Sequence, residues 1–347
     1  MPRRLPVLRP AFFTMFLLWS CHAGATQTDA APYPNTEGFG VPFEKSEDWY
    51  RHCARVERPA PPPPPAAGKM RCDATNLYYQ KRDQASTSAA EWRQVRACAE
   101  ASGDDAVLMM LHANGYGTAR DPDRAIYYAC RLTTAKAEME ARIAYLASPA
   151  AASDSQSFDL CDHITSGRMG AVCADLSATR AERVRTARLD GVARTLPAAA
   201  QAPFFRLRKA AAAFAVQAQS EVDMQGTGAP GFAIAHVARR HDEFLRAVLD
   251  AAGGKLARTT PAGFARLDAQ LNATYRKLLA TPSAQEGWPD RIGQSTVTRS
   301  DVRSTERAWL AYRDAWGPFL ATADMPADFV SIKALLTRQR IAQLGRI

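Results

Sequence analysis

The sequence contains no cysteine after residue 173 and no pair of cysteines spaced Cys-x-x-Cys, and its apolar runs are shorter than the roughly 20 residues that span a bilayer. It also lacks the Gly-x-Ser-x-Gly elbow, the His-Glu-x-x-His zinc motif, the phosphate loop and the dinucleotide fingerprint. These absences argue against zinc-stapled modules, multi-span membrane proteins and the enzyme classes that those motifs mark. We therefore expect no metal, no cofactor and no catalytic activity.

The first 25 residues have the pattern of a signal peptide. Three arginines precede a short apolar stretch, Ala11–Trp19, and Ala23-Gly24-Ala25 fits the small-residue cleavage rule. Leu18-Trp19-Ser20-Cys21 also resembles a bacterial lipobox, in which Cys21 would carry lipid. The sequence thus predicts a periplasmic or secreted protein, with a lipid anchor at Cys21 as the alternative form of export.

Cysteine usage agrees with export. Outside the leader, six cysteines remain: Cys53, Cys72, Cys98, Cys130, Cys161 and Cys173. An even number in an exported chain predicts three disulfides, for which 15 connectivities exist. Because all six precede residue 174, the first half of the chain is expected to be cross-linked and the second half is not.

Composition divides the chain into four predicted segments. Residues 1–25 are the signal peptide, and 26–68, polar and then proline-rich through Pro61–Pro65, are predicted to be a linker. Residues 69–176 contain most of the cysteines, and 177–347 are alanine-rich and helical in pattern. Together they predict an all-α fold, a disulfide-stapled region of helix hairpins followed by a helical bundle.

The net charge is +9 for the whole chain and +6 without the leader, and residues 255–347 alone have a net charge of +6. A basic C-terminal region favours anionic partners such as a lipid surface or peptidoglycan carboxylates, although a solvated arginine-rich face is the simpler interpretation. No nucleic-acid-binding module is recognisable, so nucleic acid is not an expected partner.

Helix signals are clear between residues 86 and 132. Ser86 or Thr87 is a candidate N-cap for a helix that includes Trp92, Val95 and Cys98. Asn114-Gly115 is a typical helix end, and Asp121-Pro122 is a typical start. Gly115-Tyr116-Gly117 is therefore interpreted as a structural turn and not as a phosphate loop.

The stretch from Ala106 to Gly117, followed by Asp121 and Arg124-Ala125, resembles the Sel-like repeat, a relative of the tetratricopeptide repeat. One unit is clear, and residues 72–98 would be a degenerate neighbour. The resemblance implies a stack of helix hairpins that presents a concave surface to a protein partner. In such a hairpin Cys72 would open one helix and Cys98 would close the next, which would allow the two to form a disulfide.

Three apolar stripes follow in the C-terminal part. Their residues are Leu267, Leu271, Tyr275 and Leu278; then Trp309, Tyr312, Trp316 and Phe319; then Ile332, Leu335, Leu336, Ile341 and Leu344. Steps of three and four place each set on one helical face, so the three helices are expected to bury these faces together. An earlier stripe contains Phe204, Phe205, Leu207, Ala211 and Phe214.

These helices also resemble a known family, the lysozyme-inhibitor LprI-like domain. The residues that carry the resemblance are Leu267, Asp268, Leu271, Asn272, Tyr275, Trp309, Tyr312, Arg313, Asp314, Thr337 and Arg340. The resemblance implies a helical, non-catalytic protein that inhibits lysozyme-type muramidases. This sequence departs from the family pattern because it has no cysteines in this region. Among the motif residues, Arg313, Asp314 and Arg340 are predicted to form a polar cluster with a buried ion pair.

Three sets of residues invite a catalytic interpretation, and each has a structural alternative. Cys161-Asp162-His163 suggests a thiol protease, but a disulfide from Cys161 to Cys173 explains it better. Glu221 and Asp223 suggest a glycosidase pair, but a spacing of two points them to different helical faces, as expected at a solvated helix end. His236 and His241 lack zinc-motif spacing and are expected to have structural roles.

The leading hypothesis is an exported, non-catalytic binding protein of the cell envelope, whose partner is a lysozyme-like enzyme or a toxin. One alternative is a periplasmic immunity protein that neutralises a wall- or lipid-degrading toxin. The other is an enzyme that acts on peptidoglycan through Glu221 or His163.

Overall fold

The computed structural model describes residues 35–57, 72–149 and 157–347, so the predicted signal peptide, Cys21 and the polyproline run lie outside the described residues. The described parts are helical, as predicted for the fold class. The helices are α1 (Asp48–Val56), α2 (Ala74–Arg82), α3 (Ala89–Ser102), α4 (Asp105–Asn114), α5 (Pro122–Ala129), α6 (Lys136–Ala147), α7 (Gly167–Thr195), α8 (Ala198–Gln217), α9 (Ala229–Ala252), α10 (Pro261–Ala280), α11 (Arg299–Leu320) and α12 (Phe329–Leu344). None of them is long and apolar enough to cross a membrane.

Local sequence chemistry sets several helix ends. Gly115 ends α4 in the left-handed conformation, and Asp121 caps α5 with Pro122 at its first turn, which confirms both predictions. The predicted cap of α3 was wrong by one residue: Ser88, and not Ser86 or Thr87, accepts from the Glu91 N–H in a capping box. Three consecutive hydroxyl residues make this choice ambiguous until the first helical residue is known.

Residues 35–57, expected to be part of the 26–68 linker, instead form folded structure. Trp49, Cys53 and Val56 of α1 are buried in the first hydrophobic core, and the Asn35 N–H donates to the Cys130 carbonyl at 3.0 Å. Composition misled the interpretation because polar residues on the outer face of a short helix resemble a linker.

Three disulfides brace this first core. They join Cys53 to Cys130, Cys72 to Cys98 and Cys161 to Cys173, with Cα–Cα distances of 5.9, 6.0 and 5.7 Å. Disulfides form in oxidising compartments, so this bonding indicates that the protein folds outside the cytosol.

The turn at Gly115-Tyr116-Gly117 closes against α3. Tyr116 stacks on Trp92 with ring centroids 4.5 Å apart. Gly117 has φ +66°, and a Cβ atom there would lie 2.7 Å from the Trp92 Cβ. The glycine is therefore required by the close approach of two segments, which agrees with the structural interpretation of this turn.

The second core lies among α8, α9, α11 and α12. Trp309, Tyr312, Trp316 and Phe319 are all buried, as the α11 stripe predicted. Phe205, assigned to the α8 stripe, is instead 70% exposed, because its neighbour Phe204 takes the inward position against Phe319. Helix α10 is peripheral: it packs on α12, and of its stripe Leu271 is buried. Tyr275 and Leu278 are half-buried against the same core, so the three stripes pack together as expected, with that of α10 at the margin.

Helix α7 runs without a break across residues 176 and 177, where the sequence suggested a division. Its Arg180 and Arg183 bind Asp83 of the first region at 2.6 and 2.9 Å, and its Arg185 binds Asp242 of α9 at 2.9 Å. The described residues belong to one compact unit. The division into a repeat domain and a bundle domain stays a proposal.

Candidate functional site

Several of the family-motif residues meet in a groove between α10 and α11, which we call the α10–α11 groove. It encloses a cavity of about 360 Å³. The lining residues are Asp268, Leu271, Asn272 and Tyr275 from α10 and Arg303, Glu306, Arg307, Trp309, Leu310 and Arg313 from α11. The motif thus marks one continuous surface as well as a core.

The other motif residues do not reach this surface. Tyr312 is buried and stacks on Phe214, with ring centroids 5.7 Å apart. Thr337 and Arg340 are buried on α12, and Asp314 points to solvent with its side chain 60% exposed. These positions support the fold of the bundle, and only Asp268, Leu271, Asn272, Tyr275, Trp309 and Arg313 line the groove.

The base of the groove is aromatic and stiff. Trp309 is buried, and the guanidinium of Arg313 lies over its ring, 5.2 Å from the centroid. Arg313 also binds Asp314 at 2.9 Å. Burial raises the pKa of Tyr275, so its hydroxyl stays protonated at neutral pH and can donate a hydrogen bond. A stacked arginine and a packed tryptophan lose little freedom when a ligand binds.

A buried ion pair lies beneath the groove. Arg340 donates to both carboxylate oxygens of Glu221, at 2.7 and 2.8 Å, and its Nε donates to Glu306 at 2.9 Å. Glu221 comes from the short 3-10 turn Ala218–Glu221 that follows α8. The expected buried ion pair is present, but the single cluster of Arg313, Asp314 and Arg340 was wrong: Arg313 pairs with Asp314, and Arg340 pairs with two glutamates from other elements.

The groove has an excess of positive charge. Arg303 and Arg307 contribute two cations, whereas Arg313 is paired with Asp314 and Glu306 is engaged by Arg340 from below. Asp268 is the remaining carboxylate of the lining, and it accepts a hydrogen bond from Asn272 at 3.2 Å. Such a surface favours an anionic ligand group.

Sequence reasoning did not assign Arg303, Glu306, Arg307 and Leu310 to a site. They recur at intervals of three and four with Trp309 and Arg313 on one side of α11. That spacing was readable in the sequence. What was not readable is that α10 stays peripheral and leaves this side of α11 open.

The catalytic candidates do not form catalytic sites. Cys161 is bonded to Cys173, so it has no thiolate, and His163 lies against Tyr145 with ring centroids 5.4 Å apart. Glu221 is not at a solvated helix end as expected, because it is buried against Arg340. Asp223 is exposed and accepts from Thr296 at 3.1 and 3.0 Å, separately from Glu221.

The histidines of α9 have separate surroundings. Burial and nearby arginines lower the pKa of His236 to about 4, and burial lowers the pKa of His241. Within residues 35–57, 72–149 and 157–347, no three His, Cys, Asp or Glu side chains come together in a way that could hold a metal ion.

A second cavity of about 830 Å³ lies between α7 and α9. Ala178, Ile234 and Val237 give it an apolar wall, and His241 lies at its edge. No residue of the family motif lines it, so it is separate from the α10–α11 groove.

Comparison with known proteins agrees with the resemblance in the C-terminal part. No curated protein and no solved structure matches the chain. Residues 252–344 match the family model of lysozyme inhibitor LprI. This range contains α10, α11, α12 and every residue that lines the α10–α11 groove. Glu221, α8 and most of α9 lie outside it. The C-terminal region of this chain is therefore similar to the lysozyme inhibitor LprI family.

Proposed function

We propose that this protein is an exported, non-catalytic binding protein that inhibits a lysozyme-type glycan hydrolase through the α10–α11 groove. One observation carries the proposal: the region that matches the lysozyme inhibitor family contains a groove that is lined by six motif residues and by two further arginines, Arg303 and Arg307. The three disulfides support a location where such enzymes act.

The charge of the groove gives the inhibition a physical basis. Glycan hydrolases of this type use two carboxyl groups that flank the scissile bond. Arg303 and Arg307 extend from one side of α11 and are suited to pair with such carboxylates, since guanidinium and carboxylate groups form bidentate hydrogen bonds. A domain that is basic overall would repel a basic enzyme at long range, but local pairing inside an acidic cleft would still stabilise the complex.

The test is an inhibition assay with the oxidised mature protein. We expect it to slow hydrolysis of a soluble chromogenic chito-oligosaccharide by a lysozyme-type enzyme, and we expect the inhibition to weaken at high salt. A soluble substrate is needed because a protein that coats the cell wall would slow lysis without touching the enzyme.

The double variant Arg303→Ala/Arg307→Ala is expected to raise the inhibition constant at least about tenfold, since paired interfacial charges contribute to both encounter and dissociation. Arg206→Ala is the matched control, because Arg206 is an exposed arginine of α8 outside the matched region. Full enzyme activity in the presence of a large excess of the wild-type protein would contradict the proposal.

A further inference from the structure

The loop that joins α10 to α11, residues 281–298, presents the side chain of Trp288 to solvent. Trp288 is 57% exposed, whereas Trp49, Trp92, Trp309 and Trp316 are 8% exposed or less. Leaving the largest apolar side chain in water costs folding free energy.

The exposure of Trp288 is not caused by poor packing of the loop. The same loop buries Ile292 and Val297, which are 3% and 2% exposed and are joined by a hydrogen bond from the Ile292 N–H to the Val297 carbonyl. The loop therefore has a packed underside and keeps Trp288 on its outer face.

Arg299 holds this arrangement in place. Its guanidinium donates to the carbonyls of Leu279, Pro289 and Arg291 at 2.8, 2.6 and 3.0 Å, and also to the carbonyl of Thr281. One side chain thus ties both ends of the loop to its middle. The ring is presented by a rigid frame, so a ligand would not have to order the loop on binding.

Arg291 completes the aromatic surface. Its guanidinium lies 4.2 Å from the centroid of the Trp288 ring and donates to Gln285 Oε1. The arginine thus backs the tryptophan and is itself held. The exposed residues that flank Trp288 in sequence are charged or small: Glu286, Gly287, Pro289 and Asp290.

The residues that flank Trp288 indicate which kind of partner would bind it. An aromatic anchor at a protein interface usually lies within a larger well-packed patch that excludes water. Trp288 has no such patch in its own segment, and Asp290 uses Oδ2 for Ser300, at 2.9 Å. Among the described residues no group donates to its Oδ1, which leaves that oxygen as an acceptor on a residue two positions from Trp288.

We propose that Trp288 is the platform of a binding site for a pyranose glycan. A pyranose ring has an apolar face of C–H groups, which stacks on an indole, and a rim of hydroxyl groups, which donate to carboxylates such as Glu286 and Asp290. The site is separate from inhibition through the α10–α11 groove and would hold the protein on the polymer of the cell wall.

The test uses the oxidised mature protein and two soluble probes, the β-1,4-linked hexamers of N-acetylglucosamine and of glucose. We expect calorimetry to detect binding of at least one hexamer. We also expect that hexamer to shift the tryptophan emission to the blue and protect it from acrylamide, since Trp288 is the exposed tryptophan of the described residues. Binding of the N-acetylated hexamer alone would support a wall-type glycan, and binding of both would support recognition of the pyranose face in general.

Trp288→Ala is expected to weaken the affinity roughly threefold to tenfold, the range of a single aromatic contact, and Trp288→Phe to retain most of it. Phe232→Ala is the matched control, because Phe232 is an exposed aromatic residue, 68% exposed, on α9. The proposal is overturned if wild type binds neither hexamer, or if Trp288→Ala binds as tightly as wild type. Loss of lysozyme inhibition in Trp288→Ala without any glycan binding would also overturn it and would make Trp288 a protein contact.

Discussion

At the scale of single residues, two buried arginines have opposite surroundings. Arg340 is buried and hydrogen-bonded to Glu221 and Glu306. Arg142 of α6 is also buried, yet Nε, Nη1 and Nη2 have no hydrogen-bond partner among the described residues. A buried charge is tolerated when paired and costly when it is not, so the two arginines should respond differently to the same substitution.

Arg340→Met is expected to lower the free energy of unfolding by about 3–5 kcal/mol, because it leaves Glu221 buried without its partner. Urea denaturation measures the change. Arg338→Met, an exposed arginine two positions earlier on α12, is the control and should have an effect near zero. Equal stability of the two variants would mean that the ion pair does not support the bundle.

Arg142→Met is expected to raise the free energy of unfolding by about 1–3 kcal/mol, because the flexible thioether fills the space without burying a guanidinium that makes no hydrogen bond to the described residues. The cost of that burial outweighs the attraction of Arg142 to the Glu138 and Asp162 carboxylates. Arg142→Lys keeps the charge and should give no gain. A destabilised Arg142→Met protein would reveal that the guanidinium has a partner in solution.

Glu138 of α6 gives a pH-dependent prediction. Burial alone would raise its pKa, but hydrogen bonds from Thr134 and from the backbone N–H groups of Ser166 and Thr165 outweigh burial and lower the pKa to about 2. The folded state therefore binds this proton less readily than the unfolded state. Its contribution to stability is present above pH 4.5 and is lost as the pH falls toward 2.

Glu138→Gln should be less stable than wild type at pH 7, and the difference should shrink as the pH falls through this window. Denaturation at a series of pH values measures it. Glu140→Gln is the control on the same helix, where the carboxylate binds Lys136 at the surface. A difference that stays constant from pH 7 to pH 2 would contradict the assigned role.

At the scale of elements, the disulfides close loops of very different length. Cys53–Cys130 spans 77 positions and fixes α1 to the end of α5, whereas Cys161–Cys173 spans 12 and fixes a short segment to α7. The longer loop restricts the unfolded chain more, which gives roughly 4–5 kcal/mol against about 3 kcal/mol in the chain-entropy model.

We therefore expect Cys53→Ser/Cys130→Ser to lower the unfolding temperature more than Cys161→Ser/Cys173→Ser. Calorimetry of the two double variants under identical oxidising conditions makes the comparison. The reverse order would indicate that native packing around Cys161 outweighs loop length.

The helices also show which structural features could be predicted from the sequence. The caps at Gly115 and Asp121 and the stripe of α11 depend on neighbours within a few positions, so they were predictable. Exposure of Phe205 and the peripheral position of α10 depend on which helices pack together. Which helices pack together depends on contacts between elements that are distant in sequence, and hydrophobic periodicity within one helix does not determine those contacts.

At the scale of the whole molecule, two hydrophobic cores are joined by the continuous helix α7. The buried residues of the first lie between Phe39 and Leu160 and those of the second between Leu189 and Leu344. All six disulfide-bonded cysteines, from Cys53 to Cys173, precede the second core. Covalent bracing is thus confined to one core. The other depends on aromatic packing, such as Trp316 against Phe319 and Phe244.

Reduction of the disulfides should consequently destabilise the first core and leave the second core folded. Hydrogen exchange followed by mass spectrometry, with and without dithiothreitol, is expected to show lost protection in α1–α6 and retained protection in α8, α11 and α12. Thiol labelling without reductant is the companion measurement and should modify none of the six cysteines outside the leader. Equal loss of protection in both cores would contradict the separation.

The sequence by itself determined the all-α fold, the restriction of the cysteines to the first half, and the likeness of the C-terminal helices to the lysozyme inhibitor family. These properties depend on composition, short-range periodicity and local motifs. Only the tertiary structure decided that Arg340 binds Glu221 across 119 positions, that arginines of α11 line an open groove and that Trp288 stays outside the core. Burial and long-range pairing are properties of packed surfaces, and a surface exists only when distant segments come together.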